Sequence, residues 1–369
     1  MGAIVGVLLD PKTYAGIRSG KTGSERIAFY QKAGQELGIT PFFMSLRPIR
    51  SNAVVGLIYR HPKFHLVRRP IPSVTHNRAM ALSKSSKQMM ARLATRSTIF
   101  NRVNRFDKFY IYQLMYKDKR MRRYLPWSVK FSREQLRKAM INHRALYIKP
   151  TSSSIGEGII KIQKNTNGLW NLTWKKKDTY LLSEDRAIAW IKKKVGKQRY
   201  MIQEAIQLAK HDGNVYDLRV SVQRGGTGKW QVTGIVGKVA AKGSHVTNVA
   251  KGGKVKRMQV LFRGSGFHPD QMKRTVEKSS LQMVKYLSTK LPLLADVGLD
   301  IGIDETGQVK LIEMNCRDQR YSFRKANMKK TFYKTYETPL RYAKFLLLKK
   351  KSSKSKLPNL EQSKKKVLQ

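Results

Sequence analysis

The stretch that most constrains the fold runs from Gly298 to Asn315: Gly-Leu-Asp-Ile-Gly-Ile-Asp-Glu-Thr-Gly-Gln-Val-Lys-Leu-Ile-Glu-Met-Asn. Leu299, Ile301 and Ile303 alternate with Asp300, Gly302 and Asp304, the period-two pattern of a strand with one apolar face. Asp304-Glu-Thr-Gly307 supplies turn residues before a second run, Val309 to Met314, so the stretch predicts a β-hairpin. Asp300 should share a face with Gly302 and Asp304, while Glu313 and Asn315, two residues apart, point the same way. Three hard oxygen donors, Asp300, Glu313 and Asn315, can then converge at one end of a two-stranded ribbon. That set suits Mg²⁺, which takes a few carboxylates together with phosphate oxygens. The competing account is a polar outer face on which Asn315 merely ends a strand.

A chain of 369 residues can hold two or three domains, and 41% hydrophobic residues separate it from a disordered polymer. Its charge is unusual: 75 Lys and Arg against 23 Asp and Glu, net +52. The lysine-rich end from Lys349 to Gln369 accounts for only +7, whereas Arg60 to Lys149 alone carries +20. Such a surface attracts an acidic substrate, an anionic polymer or nucleic acid, without selecting among them. No zinc finger or RNA-recognition signature accompanies the charge. Cys316 is the only cysteine, which excludes an internal disulfide and fits a reducing, cytoplasmic setting. No apolar run is long enough for a transmembrane helix.

Taken in order, Ile4–Leu9, a helix over 25–38, and strands Ile39–Ser45 and Ala53–Arg60 predict an N-terminal α/β domain over residues 1–82. Thr13–Ser24 reads as a loop. A basic helical linker follows over 83–145, with helices over 83–105 and 110–123 and a capping box at Ser132-Arg-Glu-Gln135. Strand Ala145–Lys149 leads to Thr151-Ser-Ser-Ser-Ile-Gly-Glu-Gly158, a Ser/Gly loop able to fold over phosphates or to form an ordinary hairpin turn. Strands at 159–163, 172–175, 180–182 and 200–206, with a helix from Ser183 to Val195, complete a unit over 146–206. Residues 207–348 hold a hairpin of 216–222 with 230–239, a helix from Pro269 to Lys290, the opening hairpin, an irregular basic stretch over 317–333 and a helix over 339–350. The lysine-rich end, 349–369, is expected to be disordered.

Six features occur in one order: Asp107-Lys108, Ile148-Lys149-Pro150, the loop ending Gly156-Glu-Gly158, Gln203-Glu204-Ala-Ile206, Asp217-Leu-Arg219, and Asp300 with Glu313-x-Asn315. Together they resemble the ATP-grasp superfamily, and within it the YheC/YheD-type proteins associated with bacterial endospore coats, over about residues 1–328. The resemblance implies an α/β (α+β) ATP-grasp fold behind an N-terminal α/β pre-ATP-grasp domain and ahead of a basic C-terminal tail. It implies that Lys108 and Lys149 contact ATP phosphates, and that a lid over the triphosphate includes Ser152, Ser153, Ser154, Gly156 and Gly158. On the same basis Gln203, Glu204, Ala205 and Ile206 form the hinge strand that reads adenine, and Asp217 lies near the ribose. The resemblance further implies that Arg219 stabilises the transferring phosphate or an oxyanion, with Lys149 as its catalytic companion, and that Asp300, Glu313 and Asn315 hold Mg²⁺.

The expected activity is an ATP-dependent carboxylate–amine ligation through an acyl phosphate on an acidic peptide or polymer, in association with the spore coat and its proteins. A non-catalytic coat adaptor that keeps the fold is the alternative, and a nucleic-acid-binding protein ranks last. One departure bears on turnover. Cys316-Arg-Asp-Gln-Arg-Tyr-Ser-Phe323 replaces the small-residue Pro-Gly segment usual after Glu-x-Asn, leaving Arg317 or Arg320 to receive an acceptor carboxylate.

Overall fold

The computed structural model describes residues 2–46, 52–153, 156–174, 178–241, 247 and 252–355. Ser154 and the end of the lysine-rich tail lie outside the described residues. Three sheets organise the chain.

The first contains β1 (Ala3–Leu9), β2 (Ile39–Ser45), β3 (Ala53–Arg60), β4 (Lys63–Pro70), β5 (Val74–Asn77) and β6 (Thr98–Phe100), in the order β4-β3-β2-β1-β5-β6. Helices α1 (Pro11–Ala15), α2 (Ile27–Leu37) and α3 (Lys84–Ala94) belong to it. β1 pairs in parallel with β2 and β5, which explains its almost continuous apolar run: a central parallel strand is covered on both faces. α2 ends at Gly38 in the left-handed conformation, as its position after Leu37 predicts.

The second sheet is antiparallel, in the order β11-β10-β9-β8-β12-β7. Its strands are β7 (Ser128–Lys130), β8 (Ala145–Pro150), β9 (Ile160–Lys164), β10 (Trp170–Trp174), β11 (Asp178–Leu182) and β12 (Tyr200–Glu204). Helices α4 (Lys108–Tyr116) and α5 (Lys119–Arg122) precede it, and α6 (Arg133–Asn142) and α7 (Glu184–Val195) cover it through Leu136, Ala139, Ile188 and Ile191. Ser132 caps α6 by accepting from the Gln135 N–H.

The third sheet, also antiparallel, has the order β16-β15-β14-β17-β18, with β13 beside β14. It comprises β13 (Lys210–His211), β14 (Asn214–Arg224), β15 (Trp230–Val239), β16 (Lys254–Lys256), β17 (Asp296–Ile303) and β18 (Val309–Asn315). One face packs Tyr216, Leu218, Val220, Leu299, Ile301 and Ile303 against α8 (Met258–Gly264) and α9 (Pro269–Ser288). Each such side chain contributes about 1.5–3 kcal/mol by leaving water. The opposite face is polar and equally buried: Asp217, Arg219, Ser221 and Gln223 on β14, Asp296 and Asp300 on β17. It turns towards the first sheet and the last two helices, α10 (Tyr321–Lys325) and α11 (Lys329–Ser355).

Charges on that face are paired, as burial requires. Asp296 accepts from His76, Arg78, Gln223 and Arg320, and Arg78 also holds Glu25. Asn101 donates to the Asp296 and Cys316 carbonyls and accepts from the Ala295 and Asp296 N–H groups, fastening the end of the first sheet to the start of β17. α11 runs across both units, packing on α2 and on β14 and β15. Pro339, inside α11, has no N–H for the Thr335 carbonyl, and Gln223 Nε2 donates to that carbonyl at 2.9 Å instead.

Several local expectations differ from the structure. Residues 83–105 are helical only to Ala94, and Thr98–Phe100 becomes a strand of the first sheet. The stretch 317–333 is not irregular, since it contains α10 and the start of α11, and Pro339 lies within α11 rather than opening it. A short helix, α1, occupies part of the expected 13–24 loop, while β4 and α8 had no distinct signal. Asp304 leaves the strand face altogether: its Oδ1 accepts from the Thr306 and Gln308 N–H groups and shapes the turn.

Candidate functional site

A cleft opens between the second and third sheets, about 420 Å³ with the solvent at its mouth included. Lys149 from β8, Gln203 from β12, Glu313 from β18 and Lys108 from the first turn of α4 reach it. Its apolar walls include Ile111, Leu125, Met201, Leu311 and Met314. Neither lysine is an ordinary surface lysine. Lys149 is 7% exposed and donates to Gln203 Oε1 at 2.5 Å. Burial pushes its ammonium down to about 8, Lys108 adds to the push, and Glu313 opposes it. Lys108 Nζ lies 3.5 Å from Glu313 Oε1 and donates to the Ser153 carbonyl at 2.6 Å. Asp107 positions it by capping α4, accepting from the Phe109 and Tyr110 N–H groups.

The loop after β8 begins beside these lysines. Ser152 Oγ donates to Asp107 Oδ2 at 3.3 Å, and Arg105 donates to the Ser152 carbonyl. Gly156 and Gly158 both have positive φ, at 65° and 75°. A Cβ on Gly158 would also lie 2.8 Å from Pro150 Cγ and from the Tyr200 hydroxyl, so glycine is required there.

At the end of β12, Gln203 Nε2 donates to Ser128 Oγ, and Glu204 accepts from the Trp127 N–H at 2.8 Å. The Ala205 N–H donates to the Ala145 carbonyl. Among the described residues the Ile206 N–H has no backbone acceptor, although the Ile206 carbonyl accepts from Leu208. Glu204, Ala205 and Ile206 stand just past the cleft lining, whereas Gln203 is part of it.

β17 and β18 bring the three oxygen donors together. Asp300 pairs directly with Glu313, Gly298 with Asn315, and a bulge follows Asp300. Asn315 Nδ2 lies 3.4 Å from Asp300 Oδ2, and among the described residues the amide oxygen is uncommitted. Asp300 also receives Arg219 in a two-pronged pair, Nε at 2.9 Å and Nη2 at 3.1 Å, together with Lys238 Nζ at 2.9 Å. Burial raises the Asp300 carboxyl, but the Arg219 and Lys238 charges outweigh it and hold the group at about 2. Lys238 bridges to Asp217 Oδ1 at 2.9 Å, and Thr247 donates to the other Asp217 oxygen. Burial, opposed by Lys238 and reinforced by Asp300, raises the Asp217 carboxyl. Asp217 and Arg219 therefore share a face without forming a simple pair.

Nothing in the local sequence pattern marks Asp318. It is fully buried, accepts from Arg219 Nη1 at 3.1 Å and from Ser221 Oγ, and so helps orient the guanidinium. Nothing local marks Lys238 either, because an alternating strand shows which face a lysine takes but not which acids lie across from it. Arg320 does not take the acceptor-binding role that its position after Asn315 suggests. It is 2% exposed and bound to Asp296, so it does not receive an acceptor carboxylate. Arg317 pairs with Asp10 at 2.7 Å. Cys316 is buried, and burial pushes its thiol far above the ordinary range, which excludes a reactive thiolate.

A sequence model of the YheC/D-like ATP-grasp family matches residues 96–346, more than half of the chain. The chain belongs to that family. It is 27% identical to the endospore coat-associated protein YheD of Bacillus subtilis (strain 168), over 79% of this chain and 67% of YheD. Among solved structures, D-cycloserine synthetase DcsG aligns with a TM-score of 0.52 at 11% identity, covering 91% of this chain and 99% of DcsG. The ATP-grasp ligase PsnB, in a complex with a phosphomimetic variant of its minimal precursor, Mg and ADP, aligns with a TM-score of 0.51 at 13% identity, covering 93% of this chain and 99% of PsnB. At such identities the two structures establish the fold shared with ATP-grasp ligases. Within the described residues of this YheC/D-like chain, no helix is long and apolar enough to cross a membrane.

Proposed function

We propose that this chain binds Mg·ATP in the cleft and acts as a carboxylate–amine ligase on an acidic peptide or polymer, in association with the endospore coat. The observation that carries the reading is the convergence of Lys108, Lys149 and Glu313 on one cleft, with Asp300 and Asn315 beside Glu313 on the paired strands. Lys108 and Lys149 would bind phosphate oxygens, the loop from Ser152 to Gly158 would cover them, and Gln203 to Ile206 would flank the base, the Ile206 N–H, without a backbone acceptor among the described residues, being a donor for it. Asp217 would stand near the ribose, and Arg219 would face the developing charge.

The donor chemistry fits a magnesium ion: two carboxylates, one of them firmly ionised, and an uncommitted amide oxygen, all hard ligands. Asp300, Glu313 and Asn315 would hold it, where it would neutralise triphosphate charge. In the reaction a substrate carboxylate oxygen bonds to the γ-phosphorus as ADP leaves. An amine nitrogen then bonds to the acyl carbon, phosphate leaves, and the amine loses a proton.

One observation favours a binding-only adaptor as the second reading: both Asp300 oxygens already serve Arg219 and Lys238. Thermal unfolding with saturating Mg·ATP tests the site. The wild type should be stabilised in a Mg²⁺-dependent way, and Glu313→Ala and Asn315→Ala should lose the shift. No shift in the wild type would overturn nucleotide binding under both readings. Release of ADP on adding an acidic acceptor separates ligase from adaptor.

A further inference from the structure

A second groove, about 1400 Å³ with the open solvent at its mouth included, runs alongside the ATP-grasp cleft. It lies between α3 with the 101–107 segment on one side and Ser152 with Arg199 on the other. Four cations line it: Lys87, Arg102, Arg105 and Arg199. Among the described residues no carboxylate lies within ion-pair distance of Lys87, Arg102 or Arg199, and Arg105 is held by the Ser152 carbonyl. The only acid in the lining, Asp107, is already committed to capping α4 and to Ser152. Two apolar side chains are left in solvent in the same groove, Leu82 at 56% and Val103 at 37% exposure.

The two openings share a wall. Phe106 lines both, and Ser152 in the groove lining, which accepts from Arg105, is followed by Ser153, whose carbonyl accepts from Lys108 of the cleft. A ligand lying along the groove is thereby placed beside the phosphate end of the cleft, where a carboxylate would have to be delivered.

We infer that this groove binds an extended acidic polypeptide with apolar residues interspersed among its carboxylates, and is the entry path of the acceptor. Unpaired cations attract the carboxylates, and Leu82 and Val103 cover apolar side chains that a bare polyanion lacks. Nucleic acid fits less well. Single strands are held by aromatic platforms under the bases, and Phe106 is the only aromatic side chain in the lining. The acceptor role rests on the ligase reading, whereas the peptide site does not.

Fluorescence anisotropy with a labelled peptide of alternating glutamate and leucine tests the site, with an all-glutamate peptide and single-stranded RNA as comparators. Near physiological salt, Lys87→Glu with Arg102→Glu should weaken the glutamate–leucine peptide about tenfold, while the same reversals on α9, Arg274→Glu with Lys278→Glu, should change it less than about twofold. Leu82→Ser with Val103→Ser should weaken the glutamate–leucine peptide and leave the all-glutamate peptide unchanged. Equal losses from groove and α9 reversals would overturn the site in favour of diffuse charge. RNA binding tighter than peptide binding and lost with the groove reversals would overturn the peptide. Thermal stabilisation by Mg·ATP, measured on the same proteins, keeps the two readings apart. If the ATP shift persists without groove-dependent peptide binding, the groove proposal fails; groove-dependent binding without an ATP shift removes only the acceptor role.

Discussion

Replacing Gly298 by alanine would show whether Arg219 is held in place by Asp318. A Cβ at position 298 would lie 2.4 Å from Asp318 Oδ1, 2.9 Å from Asp318 Cγ and 3.2 Å from Arg219 Nη1. The backbone at Gly298 is ordinary strand, so alanine there meets a contact problem and no conformational one. Asp318 has to yield, but it is fully buried, with Ser221 and Arg219 as its partners. Removing one partner of a buried pair outright costs about 3–5 kcal/mol, and a displaced pair that keeps part of its contacts should cost about 2–3 kcal/mol. For a unit of this size that is a fall of about 4–10 °C in the unfolding midpoint. Gly226→Ala is the control, because its nearest neighbour, Arg341 Cβ, would be 3.7 Å away; it should stay within about 0.5 kcal/mol of wild type. Thermal unfolding followed by near-ultraviolet circular dichroism measures both. With Asp318→Ala in the background the clash disappears, so the added cost of Gly298→Ala should drop below about 1 kcal/mol. A Gly298→Ala protein as stable as the control, or an undiminished penalty beside Asp318→Ala, would refute the reasoning.

Two pH effects follow from other buried groups. Lys149, with its ammonium at about 8, must be protonated to hold phosphate, so the apparent affinity for Mg·ATP should fall above that pH by up to about tenfold per unit. Lys149→Met should flatten the profile, and identical profiles for the two proteins would exclude Lys149 as the titrating group. His76 is fully buried, and burial lowers it to about 4 despite its bond to Asp296, against about 6.5 in an unfolded chain. Its folded value is depressed, so the unfolded chain binds more protons between those values. Stability from this group is complete above about pH 6.5 and declines towards pH 4 by up to about 3 kcal/mol. Urea midpoints across that range should decline less in His76→Gln, which can still donate to Asp296; an unchanged decline would assign it elsewhere.

Much of the candidate site could be placed from sequence because its residues sit on regular strands. Alternation puts Asp300 opposite the apolar Leu299 and Ile301, and the two-residue spacing of Glu313 and Asn315 sets them on one face, as the paired strands show. The same logic failed where neighbours come from distant segments. Asp304 belongs to the turn because its carboxylate satisfies the Thr306 and Gln308 N–H groups, a local competition that alternation does not register. Thr98–Phe100 forms a strand because β5 offers an open parallel edge. Arg320 reads as available from sequence because its partners, Asp296 and Tyr336, are not adjacent to it in the chain.

By itself, the sequence determined which residues alternate, which cap helices, and how strongly basic the chain is, since these follow from side-chain chemistry and short-range geometry. Local order thus specified the hairpin and the oxygen donors it carries. Tertiary structure decided which cations those acids meet: Arg219 and Lys238 on Asp300, Lys108 on Glu313, Asp318 behind Arg219. It also decided that Arg320 is buried while Lys87, Arg102 and Arg199, in a groove, have no carboxylate partner among the described residues. The reason is physical. A charge's role depends on desolvation and on partners within a few ångströms, and both are set by segments up to hundreds of residues apart in the chain.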